Sequence, residues 1–323
     1  MKELKKDKLY KKKFPHNHKF TFNNEVANVF EDMVNRSVPG YDFLVDNIGV
    51  LSKNFYQVNT NIFDLGSSLC SCSLSALEKI DHFNGKIFAV DSSKAMIDIC
   101  KKNINREEIK FINSDVCEID INNASIVILN LTLQFIDIKK RENLLKKLFL
   151  QLNKNGVIII TEKITLEKES DDIFFKKFHD FYKENNGYTK EEIDRKKIAL
   201  EKTMIIESEQ IHENRFLNIG CENFYKCGVD VITTGNHVWD QKEIMNFIEK
   251  ENRLLRPKNL IEPAPGKGFQ IYNIRENIRV GVLNLMGNVF MKKCDNVFEV
   301  SEKFMKQYKL KQDYDLLVVD FHG

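Results

Sequence analysis

The sequence lacks the long apolar runs that a membrane-spanning helix needs. Its longest such runs, residues 125–133 and 157–160, are far shorter than the roughly 18 residues that cross a bilayer. The N terminus has no apolar core of the signal-peptide type, because the first apolar periodicity begins only near Val26. We therefore expect a protein that does not span a membrane and that is located in the cytoplasm.

An excess of one charge sign is also missing, since 49 Lys and Arg residues face 47 Asp and Glu residues, for a net charge of +2. This balance argues against tight binding of nucleic acid, which depends on many phosphate contacts. Seven lysines stand among the first thirteen residues against Glu3 and Asp7. We interpret residues 1–19 as a basic, solvated N-terminal tail.

Paired C-x-x-C spacing is absent as well, and the number of cysteines is odd. Neither a zinc site nor a disulfide framework is supported, and we expect reduced, mostly structural thiols. The cysteines are Cys70, Cys72, Cys100, Cys117, Cys221, Cys227 and Cys294. A length of 323 residues with 42% hydrophobic and 30% charged residues fits a folded chain of one large or two ordinary domains.

Short β-branched and aromatic runs alternate with helical patterns from about residue 20, which is typical of an α/β fold with a doubly wound, mostly parallel sheet. Strands are predicted over 61–65, 86–90, 109–112, 125–131 and 156–161, and helices over 23–38, 41–54, 171–184, 191–203 and 207–219. After residue 227 a second set begins. It comprises strands over 229–233, 268–274, 278–285 and 316–321, and helices over 241–249 and 297–308.

Polar residues follow the first four predicted strands. The segment Asp64-Leu65-Gly66 places a glycine where the chain turns closely against a ligand. Asp91 ends the second strand, Asp115 follows the third and Asn130 ends the fourth. The carboxyl ends of parallel strands meet in one crevice, where ligands bind. There Asp91 can accept hydrogen bonds from both ribose hydroxyls, and Asp115 can accept one from an exocyclic amine of a base.

No G-x-G-x-x-G motif is present to hold a pyrophosphate, which favours S-adenosylmethionine over NAD as the nucleoside ligand. The alternative interpretation is that these strand-end residues are ordinary loop polars or turn formers.

Several motifs between about Phe20 and Lys226 resemble the carboxy-S-adenosyl-L-methionine synthase (CmoA) family. They are RSVPGY at 36–41, DLG at 64–66, LNLTLQF at 129–135, TEK at 161–163, HDF at 179–181 and NGY at 186–188. The resemblance implies a domain over 20–226 with a Rossmann-like class I methyltransferase fold that lacks its last two strands. It also implies a transferase that moves a carboxyl group from prephenate to S-adenosylmethionine and releases phenylpyruvate. Such enzymes are homodimers, and their product serves a tRNA-modifying carboxymethyltransferase that acts on wobble uridine.

The same resemblance assigns the site residues. It implies a nucleoside pocket lined by Tyr41, Gly66, Ser67, Ser68, Asp91, Ser92, Asp115, Val116 and Asn130. Lys197 stands where the family has an arginine that holds the new carboxylate, and it is our candidate catalytic residue. Lysine keeps the charge but loses the bidentate fork, and the nearby Arg195 points elsewhere along a helix. At Cys70 the family usually has glycine.

The later segments VITTGNHVWD at 231–240, LLRP at 254–257, NLMG at 284–287 and DFH at 320–322 resemble YmdB-type calcineurin-like metallophosphoesterases. By that resemblance Asn236 and His322 correspond to metal ligands, and His237 to the residue that protonates or orients the leaving group. A two-metal centre needs several more ligands, so we expect no functional metal in the partial segment 227–323.

Three alternatives to the synthase stay open: an ordinary S-adenosylmethionine-dependent methyltransferase, a metallophosphodiesterase, or an inactive fusion product. For the late strands over 229–233 and 268–285, an alternative is that they cover the open edge of the first sheet.

Overall fold

A computed structural model describes residues 5–15, 18–166, 168–208, 211–212, 215, 219–222, 225, 229–239, 244–261, 263–274, 278–287 and 294–322. The chain divides into two compact units, residues 1–209 and 210–323. Within the described ranges, no helix has both the length and the apolar character needed to cross a bilayer.

The first unit is built on a parallel five-stranded sheet, as expected for the α/β, doubly wound class. Its strands are β1 Asn61–Leu65, β2 Ile87–Asp91, β3 Ile109–Asn113, β4 Ala124–Asn130 and β5 Leu152–Thr161. Their order is β3-β2-β1-β4-β5, and every neighbouring pair is parallel. All but the last residue of β4 are buried, which explains its nearly continuous apolar run, because a central parallel strand is covered on both faces.

Helices follow β1, β2 and β4 along the chain, and others precede β1 and follow β5. Their bounds are α1 Asn24–Ala27, α2 Phe30–Ser37, α3 Tyr41–Phe55, α4 Ser71–Lys79, α5 Lys94–Asn103, α6 Ile138–Gln151, α7 Glu169–Asn185 and α8 Lys190–Leu200. Isoleucines of the sheet, among them Ile62, Ile87 and Ile126, pack with Ile48 of α3 and Ala76 of α4 in one core cluster. Each such fully buried isoleucine contributes about 1.5–3 kcal/mol.

The single helix predicted over 23–38 is wrong, because the chain breaks between α1 and α2. The Asn28 side chain donates to the Asn24 carbonyl at 2.7 Å, and Val29 adopts a non-helical backbone with φ −123° and ψ 8°. A side chain that bonds to its own backbone in this way competes with helix propagation.

The helix predicted over 207–219 is also wrong at its start. Glu207–Ser208 forms a short strand, β7, that pairs with β6, Ile164–Thr165. The carboxylate of Glu207 lies 2.6 Å from the Arg141 guanidinium, and both side chains are almost fully buried. Of the remaining predicted positions, 209, 210, 213, 214 and 216–218 lie outside the described residues.

The N-terminal segment is not simply solvated, which corrects its interpretation as a free tail. Its described lysines are exposed, but Asp7 and Tyr10 are 2% and 4% exposed. The Asp7 carboxylate accepts a hydrogen bond from the Tyr188 hydroxyl at 2.6 Å, and Tyr10 packs with Phe20 and other residues of a second core cluster. The two non-basic residues therefore anchor the segment, while the lysines face solvent.

The second unit contains two small sheets of its own. Strand β8 Ile232–Thr233 pairs with β9 Leu254–Leu255, and β10 Phe269–Ile274, β11 Ile278–Met286 and β12 Leu316–His322 form a sheet in that order. Two described helices are α9, Ile244–Ile248, and α10, Val297–Gln307; predicted positions 241–243 lie outside the described residues. The late strands pair with one another, so the idea that they complete the first sheet is wrong.

Candidate functional site

A cavity of about 1200 Å³ opens at the carboxyl ends of the strands in the first unit. All ten residues that the sequence assigns to the nucleoside and its carboxylate line this cavity. They are Tyr41, Gly66, Ser67, Ser68, Asp91, Ser92, Asp115, Val116, Asn130 and Lys197. The sheet order explains the arrangement, because β1 is the central strand and its neighbours β2 and β4 end beside it.

The turn after β1 requires glycine at position 66. Gly66 has φ +81°, and a Cβ built on it would lie 2.4 Å from Oγ1 and 2.6 Å from Cγ2 of Thr132. That Oγ1 donates to the Leu65 carbonyl at 2.9 Å, which fixes the Thr132 side chain against the turn. The backbone of the loop therefore lies directly at the cavity wall, where a ligand can approach it closely.

Asp91 organises the loop that follows. Its carboxylate accepts hydrogen bonds from the backbone N–H of Ser68 at 2.8 Å and of Ser93 at 2.7 Å. Burial raises the pKa of Asp91, and these two N–H groups partly offset that effect. A carboxylate has about four acceptor positions, so capacity remains for hydroxyl donors of a ligand.

Asp115 and Asn130 are held from behind by local hydrogen bonds. Asp115 caps a short 3₁₀ turn by accepting from the Cys117 N–H at 2.9 Å. The Asn130 amide donates to the Cys72 sulfur at 3.2 Å and accepts from the Thr161 hydroxyl at 2.5 Å. Both orientations are therefore set by the protein before a ligand arrives.

Asp64 is the last but one residue of β1, lines the cavity and is almost completely buried. It accepts from the backbone N–H and the hydroxyl of Ser73, at 3.1 and 2.6 Å. Burial raises the pKa of Asp64 to about 6, although both Ser73 bonds oppose the shift. Asp64 thus joins the first strand to helix α4 and supports the glycine turn above it.

Gln134 is a site residue that the sequence interpretation left without a role. Its side chain lines the cavity and is 6% exposed, yet its Oε1 has no hydrogen-bond partner in the described part of the chain. Its Nε2 donates to the Leu131 carbonyl at 3.1 Å, which fixes the amide. A buried acceptor without a donor is costly, so this atom fits a ligand that brings an N–H or O–H group. An S-adenosylmethionine molecule carries such groups on its base, its ribose and its amino acid moiety.

Glu162 also lines the cavity without a prior assignment. Its carboxylate accepts from the backbone N–H of Leu133 at 2.7 Å and of Gln134 at 3.0 Å. Burial raises the pKa of Glu162 to about 7, against the effect of these bonds. The residue therefore ties the end of β5 to the loop after β4.

Lys197 points into this cavity and forms an ion pair with Asp180 of helix α7. Arg195 points away, as expected: its guanidinium donates to the carbonyls of Tyr10 at 2.8 Å and Lys11 at 3.0 Å. Lys197 therefore lies at the cavity that its own chain forms.

More lysines line the same end of the cavity than the sequence indicated. Lys163 follows β5, Lys176 and Lys183 belong to α7, and Lys196 precedes Lys197 on α8. The helical spacing alone gave no signal for this cluster, because its members come from three separate elements.

Cys70 occupies a position with φ +65°, the conformation that a glycine adopts readily. Its sulfur lies 3.4 Å from the sulfur of Cys100, and both side chains are buried. Cys70 is not among the cavity-lining residues, whereas Cys72 is. The substitution therefore fills space behind the loop.

In the second unit the G-N-H loop lies next to the end of β12. A Cβ on Gly235 would fall 2.2 Å from Nε2 of His322, and the same nitrogen lies 3.1 Å from Oδ1 of Asn236. His237 is exposed. Among the residues with a described placement, no group of three His, Cys, Asp or Glu side chains could hold a metal.

Comparison with known proteins gives separate matches for the two parts of the chain. A family model described as a methyltransferase domain matches residues 62–156, and one described as YmdB-like protein matches residues 190–323. The relative from Salmonella paratyphi B named carboxy-S-adenosyl-L-methionine synthase is 38% identical over 209 residues, which are 63% of this chain and 84% of the relative. The protein of the same name from Escherichia coli is 39% identical over the same extent.

Among solved structures, human N-acetylserotonin methyltransferase in complex with SAM is 14% identical with a TM-score of 0.42. The similarity covers 61% of this chain and 49% of that one.

Proposed function

The chain belongs to the carboxy-S-adenosyl-L-methionine synthase family, and we propose that its first unit makes carboxy-S-adenosyl-L-methionine from S-adenosylmethionine and prephenate, with release of phenylpyruvate. The observation that carries this proposal is the single cavity that joins the strand-end polar residues to Lys197. The strand-end polar residues suit a nucleoside, and Lys197 suits a carboxylate.

The sulfonium of bound S-adenosylmethionine makes the protons of its methyl group acidic. One of these protons is lost and a carboxyl group takes its place on the methyl carbon. The carboxyl group comes from the ring of prephenate, and the displaced methyl proton leaves as water with the hydroxyl that the same ring loses. Charge and atoms balance, because one cation and one dianion become a neutral zwitterion, the phenylpyruvate monoanion and water.

The protein's own residues would bind, orient and exclude water. Asp91 would hold the ribose hydroxyls, the Gly66 turn would let the nucleoside approach the backbone, and Lys197 would attract the new carboxylate. Aromatic side chains on the cavity wall, including Phe20, Phe22 and Phe135, would limit access of water to the reacting groups.

Two experiments on the purified full chain test the proposal. The first is native mass spectrometry, and the second is incubation with S-adenosylmethionine and prephenate. We expect a co-purifying nucleoside heavier than S-adenosylmethionine by one carboxyl group, and phenylpyruvate formation that Asp91→Ala abolishes. Asp98→Ala is a matched control, because this exposed carboxylate on α5 pairs with Lys94 on the surface. Unmodified cofactor with no use of prephenate would instead indicate an ordinary methyltransferase, and an empty, inert chain an inactive fusion product.

We also propose that the enzyme acts as a cytoplasmic homodimer and passes its product to a tRNA-modifying carboxymethyltransferase. Helix α7 supports the dimer, because it exposes a row of apolar side chains at helical spacing. They are Ile173, Phe174, Phe178 and Phe181, between 44% and 62% exposed. Sedimentation velocity is expected to show a dimer for the native chain and a monomer for Phe174→Asp with Phe178→Asp; an unchanged dimer would exclude α7 as its interface.

The second unit requires a separate measurement, because its match is to YmdB-like proteins. We expect no bound transition metal and no hydrolysis of a chromogenic phosphodiester, since a two-metal centre needs more ligands than Asn236 and His322. Metal-dependent hydrolysis that is lost in His322→Ala would establish a second activity and contradict this expectation.

A further inference from the structure

At one end of the first unit's cavity, the lysine side chains carry more positive charge than the nearby carboxylates neutralise. Lys176 has its own partner, Asp172, at 2.5 Å. Asp180 is shared: it pairs with Lys197 and lies 3.9 Å from the Lys183 ammonium. Lys163 has no ion pair or hydrogen bond within the parts of the chain that the structure describes.

These charges face one another from three elements. Lys163 after β5, Lys183 on α7 and Lys197 on α8 all lie near the carboxylate of Asp180, and their ammonium groups repel one another. The Asp172–Lys176 pair also acts on Lys163, but this pair has no net charge. Lys196 lies nearby, but it donates to the Ser37 hydroxyl at 3.1 Å.

His179, also on α7, contributes no positive charge to this end of the cavity. Its Nε2 lies 2.7 Å from the Ser37 carbonyl, so that nitrogen carries the proton in the neutral ring, and burial lowers the pKa of His179 to about 4. Below about pH 7, where Lys183 is protonated, three ammonium groups and the Asp180 carboxylate carry a local charge of about +2.

Burial makes this excess unfavourable for the unliganded protein. The Lys183 side chain is 12% exposed. Burial is the larger cause and the positive charge of Lys163 the smaller one that together lower the pKa of Lys183 to about 7. Burial also lowers the pKa of Lys163. A partly buried cation is stabilised when an anion pairs with it, so this end of the cavity favours an anionic ligand.

We propose that Lys163 and Lys183 bind the carboxylate of the carboxyl donor that stays in the product, while Lys197 faces the carboxylate that is transferred. The ligand class is therefore a small dicarboxylate, and the retained group is the pyruvyl carboxylate of prephenate and phenylpyruvate. The assignment rests on the proposed function, because it divides the two carboxylates of that donor between two sets of lysines.

Steady-state kinetics of the full chain test the assignment through separate KM values for prephenate and S-adenosylmethionine. Lys183→Met and Lys163→Met are each expected to raise the KM for prephenate by about 10- to 100-fold, the loss of one charge-assisted hydrogen bond. The KM for S-adenosylmethionine should stay within about twofold. Lys177→Met is the matched control, because Lys177 is exposed on the same helix and does not line the cavity.

A pH series distinguishes direct binding from a structural role. Lys183 must be protonated to pair with an anion, so the KM for prephenate is expected to rise as the pH passes about 7. Lys183→Arg should keep the affinity near that of the native chain and remove this rise, because arginine stays charged. An unchanged prephenate KM in Lys183→Met, or an equal rise in both KM values, would overturn the assignment.

Calorimetric titration with phenylpyruvate separates this inference from the proposed function. If the native chain forms no carboxylated product, the proposed function fails, but phenylpyruvate binding that is lost in Lys163→Met and Lys183→Met would still support the anion site. A native chain that does not bind phenylpyruvate would refute the site itself.

Discussion

Replacing Gly66 by alanine tests the turn on which the whole cavity depends. Two costs are expected. The backbone at φ +81° disfavours any Cβ by about 1–2 kcal/mol, and the new Cβ would overlap the Thr132 side chain. Thr132 would have to move and lose its bond to the Leu65 carbonyl, so overpacking and the lost bond add about 2–3 kcal/mol.

Gly40→Ala is the matched control, because Gly40 also has a positive φ, +69°, but a Cβ at this position would meet nothing within 4 Å. It should cost only the backbone part, about 1–2 kcal/mol. The free energy of unfolding is best obtained by hydrogen exchange in peptides that cover β1 to α4. Tryptophan fluorescence is unsuitable, because the single tryptophan, Trp239, belongs to the second unit.

A double-mutant comparison completes the test. Thr132→Ala in the Gly66→Ala background removes the two closest side-chain atoms, so it should recover at least about 1 kcal/mol instead of adding a further loss. If Gly66→Ala and Gly40→Ala differ by less than about 0.5 kcal/mol, the crowding argument is wrong.

Three further predictions concern single side chains of the first unit. Asp91→Asn should weaken S-adenosylmethionine binding about 10- to 100-fold by calorimetry, as expected for hydrogen bonds to a charged group, with Asp98→Asn unchanged. Arg141→Met should lower the free energy of unfolding by about 3–5 kcal/mol in urea, because it removes the guanidinium that pairs with the buried Glu207 carboxylate; Glu207→Leu in the same chain should restore most of it, and no recovery would contradict this account. Asp64 has a folded-state pKa of about 6 against its usual 3.8, so the folded protein holds a proton that the unfolded chain releases. Its contribution to stability should fall by up to roughly 3 kcal/mol between pH 4 and pH 6, and a pH scan of Asp64→Asn that keeps the native slope would refute this.

The sheet of the first unit could be predicted because its central strands are buried on both faces. A continuous β-branched run that is bounded by turn residues, such as Ile126–Leu129, is typical of a strand covered on both sides. The convergence of Asp91, Asp115 and Asn130 on one cavity then follows from topology, since parallel strands end at the same edge.

What the sequence could not show depends on partners distant along the chain. The sequence predicts that Glu207 begins a helix. In the structure its carboxylate instead pairs in the core with Arg141, 66 positions earlier, and Glu207 belongs to a short strand. The sequence likewise predicts that Asp7 belongs to a charged tail, whereas in the structure it accepts a hydrogen bond from Tyr188. Lys163 and Lys183 likewise form a cluster only in three dimensions.

The ion pair between Lys197 and Asp180 bears on how readily a product could leave. Both side chains are partly exposed, at 40% and 29%, so the pair is worth only about 0.2–1 kcal/mol. An incoming carboxylate must displace Asp180 from Lys197. Asp180 can pair with Lys197 again when that carboxylate leaves. If the proposed function holds, such an exchange of partners shortens the time that the carboxylated product stays bound.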